Sequence, residues 1–401
     1  MAKRVLLVNK FYYPRGGDCI VVLNTEALLR ENGVEAQVFA MEYPQNLPAR
    51  FDKDFASRVT FGGDLGSQWR AMKRALGWGD VRARFEAVLD EFKPDVVHLH
   101  NIHSYLSPVV GELAHQRGIR VVWTLHDYKL LCPRYDCLRD GRPCERCFTG
   151  GKHNALLHKC MKGSLPASGV AWLEALKWNR DKLEKNTDVF VCPSEFMARK
   201  MRSGGFSPDK IQVLNNFLDP VKLQQSKQPV GRADREDYYC FVGRLSREKG
   251  IEDLLAVASR LPFKLKVAGS GPMEPEMRIK YADCGNIEFV GMLDAPQVAQ
   301  LLSRARLSVT PSQCYDNNPL SVVESLCAGT PVAGSNIGGI PELIDNENGV
   351  VYQPFDRETL STAITMSMAR EWNHEAIARH ALERFAPEVH LDRLTGDIYG
   401  F

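Results

Sequence analysis

Short apolar runs alternate with amphipathic helical stretches twice along this chain, with one polar, proline-bearing interval between the two series. In the first series the runs are Val5–Asn9, Ala36–Ala40, Asp95–His100, Arg120–Leu125, Val189–Cys192 and Ile211–Leu214. Between them, the pattern from Ile20 to Arg30 closes at Asn32-Gly33, a good helix C-cap. Asp80–Phe92 sets Val81, Phe85, Val88, Leu89 and Phe92 at helical spacing, and a further helix is expected near Pro108–Gln116. The interval Leu218–Asp237 reads as a linker. The second series then gives strands at Tyr238–Val242, Lys264–Ala268, Ile287–Val290, Leu307–Pro311 and Pro331–Gly334. Its helices are expected at Ile251–Arg260, Ala295–Ser303 and Pro319–Ala328.

Strands that alternate with helices make parallel sheets covered on both faces. The expected fold class is therefore α/β, as two doubly wound Rossmann-like domains facing each other across a deep cleft. Residues 1–217 form the first domain, residues 218–385 the second, and 386–401 are expected to pack back on the first. Open sheets of this kind bind ligands at the carboxyl ends of their strands.

With 401 residues, 44% hydrophobic and 25% charged, the composition is that of an ordinary globular chain rather than a disordered or fibrous one. A net charge of +2 gives no global electrostatic case for nucleic acid. The start, MAKRVLLVNKFYYP, holds too short an apolar run for a signal peptide, and no run approaches the roughly 20 residues a membrane span needs. A cytoplasmic protein is expected, with the inner face of the cell membrane as a second candidate location.

The stretch PSQCYDNNPLSVVESLCAGTPV (Pro311–Val332) places Asp316 in a loop after a strand and Glu324 among Leu320, Val322, Val323 and Leu326. A buried carboxylate needs a partner. Asn318 as N-cap and Pro319 at N1 begin a short helix, so Asn318, Pro319 and Leu320 form an N-terminus suited to phosphate or sugar hydroxyls. Glu324 suits a pair of vicinal hydroxyls, as on ribose; a structural ion pair is the competing reading. FVGRLSREKG (Phe241–Gly250) ends a strand at Gly243 and follows it with Arg244 and Lys249, two cations able to clamp a diphosphate. Taken alone, with Arg247 and Glu248 between them, a solvated basic turn is the favoured reading.

In the first domain YPRGGD (Tyr13–Asp18) brings Gly16-Gly17 to a helix N-terminus, where backbone can approach a ligand closely. The strand ends HLHNIH (His98–His103) and TLHDY (Thr124–Tyr128) carry His100, Asn101, His126 and Tyr128. His126 stands where a strand runs out, with Asp127 beside it to orient it or cap the next helix. The DxD in FDKDF (Phe51–Phe55) follows no apolar strand and reads as a solvated loop.

Taken together, VHLHN, TLHDY, CPSEFM, FVGRLSREKG, VAGSGP, FVGML, YDNNPLSVVESLCAGTPV and GGIPELI resemble the family-4 glycosyltransferases of GT-B fold over nearly the whole chain. The resemblance implies a retaining transferase that moves a hexosyl group from a nucleoside-diphosphate sugar to a saccharide or lipid-linked saccharide, in synthesis of a bacterial-type surface polysaccharide or glycoconjugate. It implies no cofactor for catalysis. Arg244 and Lys249 would stabilise the leaving diphosphate, Glu324 would hold the ribose, and Asp316 would contact the donor sugar. Asp316 stands where the family commonly has Glu, one methylene longer. His126 would lie by the transferring sugar, Gly17 would present backbone to the donor phosphate, and Val290 within FVGML would line the base. His100, Asn101 and Tyr128 are assigned to the acceptor side. Rival readings are a nucleotide-sugar epimerase or sugar phosphorylase of related fold, and a catalytically silent nucleotide-sugar-binding scaffold.

Two features stand outside that resemblance. Five cysteines fall within 132–160, and Cys144-x-x-Cys147 has metal-ligand spacing. A structural zinc held by Cys132, Cys144, Cys147 and Cys160 is expected to order this loop-like insertion. SQWRAMKRALGW (Ser67–Trp78) mixes Trp69, Met72, Leu76 and Trp78 with three cations, a helix suited to an anionic membrane surface or to packing on its own domain.

Overall fold

The computed structural model describes residues 3–219, 223, 231 and 234–401. Residues 220–222, 224–230 and 232–233 of the expected linker lie outside the described residues. Two compact units emerge: the first takes in Met1–Cys137, Cys144–Leu214 and Leu391–Phe401, the second Leu138–Pro143 and Asn215–His390.

Along the chain the first strands are β1 (Arg4–Val8), β2 (Glu35–Phe39), β3 (Val96–Leu99) and β4 (Arg120–Thr124). A two-stranded antiparallel hairpin, β5 (Leu138–Arg139) and β6 (Arg142–Pro143), precedes β7 (Val189–Cys192) and β8 (Ile211–Val213). The sheet of the first unit runs β2-β1-β3-β4-β7-β8, all parallel, with Val5 opposite Ala36 on one side and Val96 on the other. Its strands are apolar on both faces, as burial beneath helices on both sides demands: Leu6, Leu7, Val97 and Val121 are fully buried. The C-terminal residues belong to this unit: Arg120 Nε donates to the Ile398 carbonyl at 2.9 Å, and Tyr399 Oη meets His98 Nδ1 at 2.7 Å.

The second unit holds β9 (Tyr238–Val242), β10 (Lys264–Ala268), β11 (Ile287–Gly291), β12 (Leu307–Thr310), β13 (Val332–Ser335) and β14 (Gly349–Tyr352), in the parallel order β11-β10-β9-β12-β13-β14. Its largest apolar cluster sets Tyr239, Leu265 and Leu307 of the sheet against Leu254, Leu255, Leu360 and Ile364 of two helices. Both units are thus doubly wound, and the α/β class expected from the sequence is the class observed.

The strand orders also mark where ligands belong. In each sheet the winding reverses once, between β1 and β3 in the first unit and between β9 and β12 in the second. Neighbouring loops there leave on opposite faces and open a crevice at the carboxyl ends of the strands.

Candidate active site

In the second unit the crevice is walled by the loop after β9, residues 243–250, and the loop after β12, residues 311–319. Lys249 Nζ lies 2.5 Å from Asp316 Oδ1, so the two walls are joined by an ion pair. Ser312 Oγ donates to Asp316 Oδ2, and the Asp316 carbonyl accepts from Gly339 N at 2.6 Å. Burial alone would lower the Lys249 pKa, but the Asp316 carboxylate outweighs it and raises it, so the ammonium stays charged. Arg244 is exposed, and its side chain makes no hydrogen bond or ion pair among the described residues. One wall therefore presents a paired cation and an open one.

Glycine permits the close packing of these loops. Gly250, at φ +69°, lies where a Cβ would stand 1.8 Å from the Pro311 carbonyl oxygen. Gly338, at φ +65°, lies where a Cβ would stand 2.2 Å from that of Asp316. Both left-handed conformations and both contacts exclude any larger residue.

The short helix Leu320–Cys327 follows, with Glu324 in its second turn and only 8% exposed. The cap differs from expectation. Pro319, not Asn318, is the N-cap residue, and Asn318 makes no capping bond. Its Oδ1 instead accepts from Asn216 N at 2.9 Å, and its carbonyl accepts from Asn216 Nδ2 at 2.8 Å. The helix N–H groups are thereby left without a side-chain cap. Val290 is half-buried near the end of β11, packed beneath the helix Ala295–Arg304. Gly243 lies at the end of β9, its N–H bonded to the Ala268 carbonyl at 3.1 Å.

In the first unit, Gly16 caps the helix Gly17–Glu31 with no side-chain bond, and Gly16 and Gly17 are exposed. Asp18, in the first turn, accepts from Asn101 Nδ2 at 2.9 Å, and Lys10 Nζ stands 3.9 Å away. Burial would raise the Asp18 pKa, yet Lys10 and the Asn101 bond hold it below the usual carboxylate range. His126 Nε2 lies 3.0 Å from His100 Nδ1, the rings stacked at 21°. Burial pushes the His126 pKa down to about 4, so the ring is neutral near pH 7.

Two expectations for this unit are corrected and one is narrowed. His100 is buried at 1% exposure, its carbonyl accepting from Trp123 Nε1 and its ring holding His126, so it has no face for an acceptor. Tyr128 is 2% exposed with its ring edge-on to Phe196, a packing role that the polar sequence TLHDY does not betray. Of the two roles offered for Asp127, its acceptance from Lys129 N at 2.9 Å fits the cap; it lies 3.9 Å from His103 Nε2, and His126 Nε2 meets His100 Nδ1. The two rings meet because they stand just past the ends of β3 and β4, which are neighbours in the sheet.

The zinc expectation is also corrected. Among the described residues no group of three or more His, Cys, Asp or Glu side chains is arranged to hold a metal ion. Cys132, Cys137 and Cys147 instead act on one another, their mutual interaction lowering the pKa of Cys132 and raising those of Cys137 and Cys147. Cys137 is fully buried, whereas Cys144 is partly exposed and Cys160 Sγ turns to the Asn154 carbonyl at 4.0 Å. Lys152 Nζ donates to the carbonyls of Leu131 and Cys147, replacing the ordering role given to a metal. In the helix Leu65–Ala75, Arg74 turns inward to Asp80 and the Tyr105 carbonyl, so one of the three cations assigned to a membrane face is withdrawn from it. Among the described residues no helix is long and apolar enough to cross a membrane.

The family description Glycosyltransferase Family 4 matches residues 16–222, more than half of the chain. The chain belongs to glycosyltransferase family 4. The description Glycosyl transferases group 1 matches residues 224–386 of the same transferase. Among curated relatives, this family-4 member is 25% identical over 338 residues to a glycogen synthase of Mycobacterium tuberculosis, covering 82% of this chain and 73% of the relative. It is 24% identical over 405 residues to a D-inositol 3-phosphate glycosyltransferase of Streptosporangium roseum, covering 92% and 84%. Its fold matches the lipopolysaccharide outer core galactosyltransferase WaaB at TM-score 0.64 and 16% identity, with 99% of each chain covered. Anabaena HepE in complex with UDP-glucose matches at TM-score 0.64 and 16% identity, over 99% of this chain and all of the other. The enzyme is a glycosyltransferase of GT-B fold.

Proposed function

We propose that this glycosyltransferase takes a nucleoside-diphosphate hexose as donor, transfers the sugar with retention to a saccharide or lipid-linked saccharide, and builds a surface polysaccharide or glycoconjugate. The observation that carries the donor assignment is the Lys249–Asp316 pair set across the switch-point crevice beside the exposed Arg244. In this reading the diphosphate takes Arg244 and draws Lys249 from Asp316, and the freed carboxylate accepts from a donor-sugar hydroxyl. Glu324 holds the ribose hydroxyls, the uncapped N–H groups at Leu320 face donor oxygens, and Gly243 and Val290 line the nucleoside. That HepE is seen with UDP and with UDP-glucose supports a nucleotide-sugar donor.

The chemistry follows from the charges. The bond between the anomeric carbon and the diphosphate oxygen breaks with its electron pair going to the diphosphate. The acceptor oxygen forms the new bond on the same face, and its proton passes to the leaving phosphate oxygen. Cations fixed before reaction stabilise the charge that develops on that oxygen. No protein carboxylate is required as general base in this route, and Asp316, still held by Ser312 once Lys249 has turned to the diphosphate, is left to accept from a donor-sugar hydroxyl. Neutral His126 and the backbone of Gly17 serve the transferring sugar and the donor phosphate as hydrogen-bonding groups.

A thermal-shift screen over nucleoside diphosphates and their sugars tests the reading, since ligands of the folded state raise its stability. A stabilising nucleotide-sugar, followed by transfer that keeps the anomeric configuration by NMR, is the expected result. Turnover of the donor to a free epimer, or inversion at the anomeric carbon, contradicts it.

A further inference from the structure

Five aromatic rings gather on the first unit from loops that the chain sets far apart. Phe11 and Tyr13 follow β1, Tyr43 follows β2 and Tyr105 follows β3, three adjacent strands, while Phe61 comes from the segment before the helix Leu65–Ala75. Phe11 packs edge-on to Tyr43 at 5.3 Å and lies 5.8 Å from Tyr105. Tyr13 stacks on Tyr43 at 5.6 Å, and Phe61 meets Tyr105 at 5.3 Å. Phe11 is buried beneath the others, Tyr13 and Tyr43 are half-exposed, and Phe61 is 46% exposed. A surface of this make-up offers faces to the C–H side of a sugar ring.

Two guanidinium groups lie on the same cluster. Arg15 sits 4.2 Å over the Phe11 ring and Arg58 sits 4.4 Å over Tyr43. Both are exposed, and neither meets a carboxylate among the described residues. Elsewhere on this unit Arg30, Arg50, Arg84, Arg117 and Arg180 each pair with Asp or Glu. Glu42, adjacent in sequence to Tyr43, is taken by Arg84 at 2.7 Å rather than by Arg58. Stacking leaves the N–H edge of a guanidinium open to an anion. Lys10 continues the cationic side toward Asp18 and the strand-end crevice, its Nζ 5.6 Å from the Phe11 ring centre.

We propose that this ring-and-arginine patch is an acceptor subsite for a saccharide carrying an anionic group, phosphate or carboxylate, with the sugar ring against Tyr43 and Phe61 and the anion on Arg15 and Arg58. The proposal rests on the transferase reading only in taking the bound saccharide to be the acceptor.

Saturation-transfer NMR with glucose, glucuronate and glucose 6-phosphate tests it, on the wild type and on R15Q/R58Q, with UDP titrated in parallel. The anionic sugars should bind the wild type about tenfold or more tighter than glucose, as expected for charge-assisted hydrogen bonds, and lose that margin in R15Q/R58Q with UDP affinity unchanged. Y43L should weaken all three sugars. Equal binding of glucose and the anionic sugars, binding of none, or a margin that survives R15Q/R58Q overturns the proposal. So does loss of UDP affinity in R15Q/R58Q, which would assign the arginines to the donor. Capture by phosphatidylglycerol vesicles through the same arginines, without sugar binding, would make the patch a lipid contact and overturn it too. A wild type that binds the anionic sugars but no nucleotide would sink the donor reading while leaving this one standing.

Discussion

Lys249 Nζ stands 2.5 Å from Asp316 Oδ1 and ties the loop after β9 to the loop after β12 at the reversal of the second sheet. Their side chains are 30% and 16% exposed, so the desolvation each ion undergoes offsets much of their attraction. The pair's value is in placing a cation and a hydrogen-bond acceptor at one point. K249M should lower turnover on the order of 10²- to 10³-fold while leaving the melting temperature within a few degrees of wild type. Steady-state kinetics beside a thermal melt checks this, and near-normal turnover would remove Lys249 from the chemistry.

Gly338 tests whether the backbone under Asp316 matters. A Cβ there would lie 2.2 Å from the Asp316 carbonyl oxygen, at a φ of +65°. G338A should cost about 1–3 kcal/mol in urea unfolding and lower turnover with it. Gly285 has nothing within 4 Å of its Cβ position, and G285A should stay within about 0.5 kcal/mol.

The His100–His126 pair predicts a pH signature. Burial carries the His126 pKa from 6.5 down to about 4. Between those values this site binds more protons in the unfolded chain, so the His126 contribution to stability falls as pH drops from 6.5 toward 4, while Asp127, raised by burial to about 6, acts the other way below that pH. His103, lowered by burial as well, contributes in the same direction as His126. H126N should therefore flatten the slope in unfolding measurements from pH 4 to 7 without abolishing it. If His100 positions His126, H100N, which keeps a hydrogen-bonding amide at the place of Nδ1, should retain more activity than H100F.

The alternation of apolar runs made both sheets legible, because strands buried on two faces need continuous apolar sequence. Arg244, Lys249, Asp316 and Glu324 stand out in the sequence as charged residues among small and apolar ones, and the structure brings Lys249 and Asp316 together. What stayed hidden depends on partners distant in the chain. Asn318 had the right chemistry for a cap, but Asn216, 102 residues away, claims its side chain. Tyr128 reads as polar and packs as a hydrophobe against Phe196. The rings of Phe11, Tyr43 and Tyr105 gather only because β2, β1 and β3 are neighbours, which no local pattern announces. Among the cysteines, spacing favoured Cys144, while burial and hydrogen bonding select Cys137.

That selection is itself testable. C137S puts a hydroxyl where a fully buried thiol stands and should destabilise by about 1–3 kcal/mol, whereas C144S at a partly exposed site should stay within about 0.5 kcal/mol. Chelator should leave the melting temperature of the wild type unchanged. Stoichiometric zinc with a chelator-sensitive melt would reinstate the metal.

In the reading proposed above, the crevice between β9 and β12 grips a nucleoside diphosphate through Arg244 and Lys249. Isothermal titration with UDP, GDP and ADP on the wild type and on R244A/K249A measures it directly. One of the three should bind the wild type, and R244A/K249A should bind it about a hundredfold or more weaker while melting as a folded protein, since two charge-assisted contacts are removed. Equal affinity in the two proteins would contradict the account.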